Sequence, residues 1–220
     1  MKISLTKAGK RFNRDWIFRN VNYEFTTGTA YAITGPNGSG KSTLLQVIGG
    51  ALMMSEGEYS YEVPASGNRP AATGHSKQPG DSLYQYISIA APYLEAIEEM
   101  SVTEFLTFHT QFKTLLPGIT IPQAISIVGL EKSAHKQIRY YSSGMKQRVK
   151  LAQAIFSDVP CVLLDEPCTN LDAEGIALYQ KLIADYCADR LVIVSSNDIQ
   201  EYGFCQQQLS ILDYKTNKTA

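Results

Sequence analysis

Eight consecutive residues, Gly35-Pro36-Asn37-Gly38-Ser39-Gly40-Lys41-Ser42, constrain this chain more than any other stretch. They match G-x-x-x-x-G-K-[ST] at every position. Upstream, Ala30 to Thr34 is short, apolar and β-compatible, and downstream Leu44, Leu45, Val47, Ile48, Ala51 and Leu52 recur at helical spacing. A strand, a glycine loop and a helix in that order make a phosphate cradle. A diphosphate needs many donors at once, and a row of backbone N–H groups is the densest source of them. Glycine lets the backbone curl and approach the phosphates, and the following helix turns its positive end toward them. Lys41 is expected to reach the β- and γ-phosphates and the Ser42 hydroxyl to ligate Mg²⁺. The candidate phosphate-binding set is the whole motif together with Thr43.

A cradle of this kind needs a carboxylate to hold the metal, delivered from another buried strand. "CVLLDEP", residues 161–167, supplies one. Cys161 to Leu164 read as a strand buried on both faces, so Asp165 falls at its carboxyl end, where open α/β sheets gather their ligands. Asp165 is the second candidate metal ligand. Glu166 is placed to polarise an attacking water, and Pro167 ends the strand.

The totals leave room for this reading and exclude others. The chain has 220 residues, 44% of them hydrophobic and 19% charged, which is ordinary globular usage. A formal net charge of -1 gives the molecule as a whole no attraction to nucleic acid or to an anionic membrane. No run of 18 apolar residues appears and "MKISLTKAGKRF" lacks the apolar core of a secretory signal, so a cytosolic location is expected. Cys161, Cys168, Cys187 and Cys205 form no C-x-x-C pair and read as reduced, mostly buried thiols.

Between the two motifs lies "YYSSGMKQRVKLAQAI", residues 140–155. With it the chain resembles the ATP-binding cassette (ABC) ATPases over nearly its whole length. Ser142-Ser143-Gly144-Met145-Lys146 looks like a variant of that family's LSGGQ signature, and "TNLD", Thr169 to Asp172, resembles the loop after the second nucleotide strand. The resemblance implies an α/β P-loop fold of ABC type, with a parallel core sheet, an antiparallel β subdomain and a helical subdomain. It implies one cassette over 1–220, with the helical subdomain at about 92–145 between the P-loop and the Asp165 strand. ATP is the implied ligand, with Mg²⁺. Small Ser and Gly residues before a helix expose N–H groups and hydroxyls that can receive a γ-phosphate. In the family that phosphate belongs to the ATP of a second cassette, so Ser142, Ser143 and Gly144 imply an identical or different partner chain. An integral membrane permease is the other implied partner, which would hold this chain at the inner face of the plasma membrane. The resemblance offers no nucleic-acid role. The family's adenine-stacking aromatic falls on Phe12, with Trp16 as second candidate, and a core role for the aromatic stays open.

Two departures stand out. Counting back from "SVTEFL", residues 101–106, the family's usual glutamine position falls on Ala91 or Pro92. After the apolar run Leu191 to Val194, Asn197 stands where the family usually has histidine, and an asparagine carries no proton or charge at neutral pH. Loss of one transition-state donor of this kind costs about 10²–10³ in rate, so slow hydrolysis is expected. An ATP-operated clamp with little hydrolysis is the alternative, and a soluble ABC protein acting on DNA or ribosomes is the more distant one.

Elsewhere, residues 1–34 read as short strands and turns, and 55–82 as hairpin and loop with His75 exposed. "VTEFLTFHTQF" and "PQAISIVGL" read as helices, with Phe105, Leu106, Phe108 and Phe112 as a stripe read as core, with a partner surface as the alternative. His109 and His135 have no metal-like company, and the tail 213–220 is polar.

Overall fold

Alternation between the two faces of one buried sheet organises the chain. The computed structural model describes residues 1–65, 71–76 and 83–215, without the side chains of His75 and Ser76. In chain order the elements are β1 Lys2–Phe12, β2 Asp15–Thr26, β3 Ala30–Thr34, α1 Lys41–Ile48, β4 Glu56–Val63, β5 Ala72–Ser76, β6 Ile87–Ala90, α2 Val102–His109 and α3 Ile121–Ile127. They continue with α4 Ser143–Phe156, β7 Cys161–Asp165, α5 Ala173–Tyr186, β8 Leu191–Ser195, α6 Ile199–Tyr202 and β9 Gln207–Ser210. The five-stranded sheet runs β6-β7-β8-β3-β9 and every pairing in it is parallel. The four-stranded sheet, β2-β1-β4-β5, is antiparallel throughout.

Successive residues of a strand point to opposite faces, and here the two faces feed two cores. Cys161, Leu163, Leu191 and Ile193 join α1 and the antiparallel sheet. Val162, Leu164, Val192 and Val194 join α2, α3, α4 and α5. A sheet covered on both sides needs strands that are apolar throughout, which is why β7 and β8 are buried at every position. The order β6-β7-β8-β3 then delivers four strand ends side by side to one edge.

Several sequence expectations change here. Residues 1–34 hold two long strands of 11 and 12 residues, not short ones. Register shifts after Leu5, Ala8 and Lys10 break the period-2 pattern and hide their length. Helix α1 stops at Ile48, before Ala51 and Leu52, because Gly50 takes a positive φ of 74°. The Phe105 to Phe112 stripe divides: Phe105 and Leu106 are buried, whereas Phe108 and Phe112 are 44% and 65% exposed. The buried face of α2 follows Val102, Phe105 and Leu106; Phe108 lies about a third of a turn off it, and Phe112 falls beyond the helix end. The hairpin expected within 55–82 is β4–β5, while 66–70, 77–82, the His75 side chain and the tail 216–220 lie outside the described residues. The four cysteines are free thiols, and Cys161, Cys168 and Cys187 are buried.

Arg190, 8% exposed, ties the helical side together. Its guanidinium donates to the carbonyls of Ile155 at 2.6 Å and Ser157 at 3.0 Å, at the end of α4, and from Nε to Tyr186 at 2.9 Å, at the end of α5. One cation thus satisfies the carboxyl ends of two helices. Arg190→Ala is expected to cost about 3 kcal/mol or more by leaving these buried carbonyls unpaired, and Arg190→Lys to recover only part of that, as read from urea unfolding.

Candidate functional site

The loop between β3 and α1 closes on itself through conformations that side chains resist. Gly35 has φ 146° and Gly40 has φ 102°. A Cβ on Gly40 would lie 2.4 Å from Ile17 Cγ2, so β2 packs directly against the cradle. Gly40 also caps α1 without any side-chain hydrogen bond and no acidic residue occupies the first turn, which leaves the helix's positive end open to an anion. Lys41 is 4% exposed and its Nζ donates to the Pro36 carbonyl at 3.3 Å, so the ammonium lies folded over the loop. The buried Ser39 Oγ has no hydrogen-bond partner.

Asp165 ends β7, 1% exposed. Burial raises its pKa above the usual carboxylate range, opposed by the hydroxyls of Ser195 and Ser42 and by the Lys41 charge. Its Oδ1 has no hydrogen-bond partner. A buried, orphaned carboxylate oxygen facing a helix-start hydroxyl and a lysine fits a hard divalent cation that takes its other ligands from phosphates and water. Among the described residues no group of three or more His, Cys, Asp or Glu could hold a metal alone. Asp165 and Ser42 would hold Mg²⁺.

Glu166 follows with φ 44°, a conformation that non-glycine residues adopt at a cost. Its N–H donates to the Ser195 carbonyl at 2.9 Å, which extends the β7–β8 ladder by one bond and fixes the strained residue at the sheet edge. Neighbouring elements brace the turn beyond it. Gln147 Nε2 of α4 donates to the Pro167 carbonyl at 2.7 Å, and the Cys168 N–H donates to Glu201 Oε1 of α6 at 2.6 Å. Sequence reading missed Glu201, because nothing local marks a carboxylate that acts across 33 residues.

Asn197, after β8, donates from Nδ2 to Asn37 Oδ1 of the cradle at 3.1 Å. The β6 register pairs Ala90 with Leu164, so Ala91 and Pro92 lie beside Asp165 and Glu166 at the same edge. Both positions at which the sequence reading expects a departure therefore fall beside the cradle and the Asp165–Glu166 pair. Ser142 caps α4, its Oγ accepting from the Met145 N–H at 3.2 Å, and Ser142 and Ser143 are exposed. A Cβ on Gly144 would lie 3.0 Å from the Asn170 carbonyl. None of the described hydrogen bonds joins Ser142, Ser143 or Gly144 to the cradle. Phe12, 48% exposed, closes β1 with the Lys10 ammonium 5.0 Å from its ring centre. Trp16 is occupied by the guanidinium groups of Arg11 and Arg19, 5.5 and 4.6 Å from its ring.

A glycine cradle at a helix start, an orphaned aspartate and a strained glutamate on one parallel sheet edge define a P-loop nucleotide-binding protein. Comparison with known proteins narrows the class. The family model described as ABC transporter matches residues 18–169. The cytochrome c biogenesis ATP-binding export protein CcmA of Rhizobium meliloti (strain 1021) is 32% identical over 208 residues, covering 93% of this chain and 94% of the relative. An uncharacterised ABC transporter ATP-binding protein, YybJ of Bacillus subtilis (strain 168), is 27% identical, covering 82% and 78%. The dimeric structure of MJ0796, a bacterial ABC transporter cassette, superposes with a TM-score of 0.73 at 23% identity, over 95% of this chain and 94% of that one. The chain belongs to the ABC transporter family, among its ATP-binding components.

Burial raises the Glu201 pKa, opposed by the Ser196 hydroxyl and the Cys168 N–H. A carboxyl group with a raised folded pKa contributes stability below its unfolded pKa and loses it as pH rises through the folded value. Glu201→Gln keeps an acceptor for Cys168 without the charge, so it should gain on the wild-type chain between pH 5 and pH 8 in urea unfolding. Glu201→Ala, which orphans the Cys168 N–H, should cost about 1–3 kcal/mol at both.

Proposed function

We propose that this chain is the ATP-binding and slowly ATP-hydrolysing subunit of an ABC transporter, working on a separate membrane permease. The observation that carries it is the pairing of the open α1 start with the orphaned Asp165 oxygen across the β3 and β7 strand ends. The cradle from Gly35 to Thr43 would hold the ATP phosphates, with Lys41 on the β- and γ-oxygens. Ser42 and Asp165 would ligate Mg²⁺, which when bound neutralises the phosphate charge. Glu166 would act as general base on the attacking water, its backbone N–H held by the Ser195 carbonyl. Phe12 is the adenine platform we favour over Trp16, whose ring two guanidinium groups already occupy.

Ser142, Ser143 and Gly144 point to a second cassette. The exposed Ser142 and Ser143, with Gly144 partly buried behind them, at a helix start with no acidic residue in its first turn suit the γ-phosphate of a partner's ATP, so two chains, identical or different, would close head to tail around nucleotide. No described helix is long and apolar enough to cross a membrane, and in this reading the permease is another polypeptide. In this reading 1–220 is one cassette, with residues of about 92–145 forming the helical subdomain that docks on the permease at the inner face of the plasma membrane. The exposed pair Phe108 and Phe112, packed edge to face at 5.2 Å, is apolar surface of the kind that docking needs. The relatives named as export proteins favour outward transport. A second reading, an ATP-operated clamp with little turnover, is favoured by Asn197 in place of histidine and by Ala91 and Pro92 in place of glutamine.

Steady-state phosphate release with MgATP separates the two. Glu166→Gln is expected to lower turnover by about 10²-fold or more. Asn197→His should raise it, by up to about 10²-fold, through an added donor at the γ-phosphate. ATP binding without turnover, indifferent to both substitutions, would overturn the hydrolytic reading in favour of the clamp.

A further inference from the structure

Buried polar atoms without a partner gather at one place in this molecule. Among the described residues they are Ser39 Oγ, Asp165 Oδ1 and Ser195 Oγ, on the cradle, the end of β7 and the end of β8. Each such orphan is destabilising, and folded chains keep few of them without a ligand or water to complete them. Ser39 belongs to the cradle and Asp165 to the candidate metal ligands, whereas Ser195 belongs to neither.

Sheet register places the Ser195 hydroxyl. β8 lies between β7 and β3, and Ser195 pairs with Asp165 on one side and with Ile33 on the other. Backbone bonds hold it from both strands: the Ser195 carbonyl accepts from the Glu166 N–H at 2.9 Å, and the Ser196 N–H donates to the Ile33 carbonyl at 3.1 Å. Alternation sends Leu191 and Ile193 of β8, and Cys161 and Leu163 of β7, to the face that α1 covers. Ser195 and Asp165 continue those two rows, so their side chains stand on that same face at the edge where the loop 35–40 starts α1. Neighbouring strands lie about 4.8 Å apart, which puts such in-register side chains within reach of one another. The Ser195 side chain is 0% exposed, and its dipole favours the charged form of Asp165 without completing a hydrogen bond to it.

We propose that Ser195 is a positioning residue for the metal of bound nucleotide: its hydroxyl oxygen accepts a proton from a water in the Mg²⁺ shell, beside the carboxylate of Asp165. The proposal rests on reading this site as a MgATP site. Sheet order supplies the reason, because an ion shared by Asp165 on β7 and Ser42 after β3 bridges across β8, whose last residue is Ser195. Mg²⁺ keeps several of its waters, and a water bound through its oxygen turns two protons away from the metal, each needing an acceptor. Asp165 Oδ1 and Ser195 Oγ are two unfilled acceptors side by side. Ala91 and Pro92 bring no side-chain oxygen to this edge, and Ser195 supplies one from within it.

The test is equilibrium binding of ATP to the full chain in a Glu166→Gln background, by calorimetric titration with excess Mg²⁺ and again with EDTA, together with urea unfolding without nucleotide. Ser195→Ala removes a single oxygen. It is expected to weaken MgATP binding about fivefold and to raise the Mg²⁺ concentration for half-saturation, while ATP binding in EDTA stays unchanged. Because the hydroxyl has no partner in the nucleotide-free protein, the urea midpoint should hold or rise. A merely structural hydroxyl predicts the reverse, a lower midpoint with an unchanged Mg²⁺ requirement. That pattern, equal weakening with and without Mg²⁺, or normal MgATP binding overturns the role of Ser195 alone. Failure of the Glu166→Gln chain itself to bind ATP overturns the reading of the site along with it.

Discussion

Asp165 carries a charge into a place where charge is expensive. The parallel sheet is covered on both faces, so a carboxylate at the end of β7 is almost fully buried, and one of its oxygens has no partner in the protein. An unpaired buried acceptor of this kind costs on the order of 1–3 kcal/mol, more when charged. In the proposed function the missing partners come from outside, as a divalent cation and phosphates at the start of α1. Much of the architecture follows from holding that carboxylate in place. β6 and β8 flank β7, β3 delivers the cradle beyond β8, and the ladder continues past Asp165 through the Glu166 N–H to hold the backbone of the next residue.

The second constraint is connection between the nucleotide edge and the helical side of the molecule. Helix α4 begins at the exposed Ser142 cap and contributes Gln147 to the Pro167 carbonyl and Lys150 to the Ala91 and Pro92 carbonyls. One rigid helix thus touches the turns after β7 and β6, and its far end is pinned to α5 through Arg190. In the proposed function, a change at the Ser142 end would reach the Asp165 side of the site through these few bonds, because a packed helix moves as a body. The apolar pair Phe108 and Phe112 lies on the same helical side, opposite the antiparallel sheet.

The cradle and β7 are legible in the sequence because phosphate chemistry demands a local pattern. Backbone donors need glycines at fixed spacing, and a strand buried on both faces needs an unbroken apolar run before its terminal aspartate. The long β1 and β2 strands are not legible, since three register shifts scramble the alternation that reveals a strand. Phe108 and Phe112 read as core because hydropathy reports composition, whereas exposure depends on where α2 ends and which face it buries. Glu201 escapes sequence reading for another reason: it acts through Cys168, far away in the chain, and no spacing rule records such a meeting. The two departures, at Ala91–Pro92 and Asn197, are found by counting, and the fold brings both to the edge where their absence would matter.

The central claim is that nucleotide joins two copies of this cassette, or this cassette and a partner, through the Ser142–Gly144 helix start of one and the cradle of the other. Sedimentation velocity of the Glu166→Gln chain, alone and with MgATP or MgADP, tests it most directly. The account predicts a monomer without nucleotide and with MgADP, a dimer with MgATP, and loss of that dimer when Gly144 carries a bulky acidic side chain. A sedimentation coefficient that ignores MgATP, or a dimer that forms regardless of nucleotide, would contradict it.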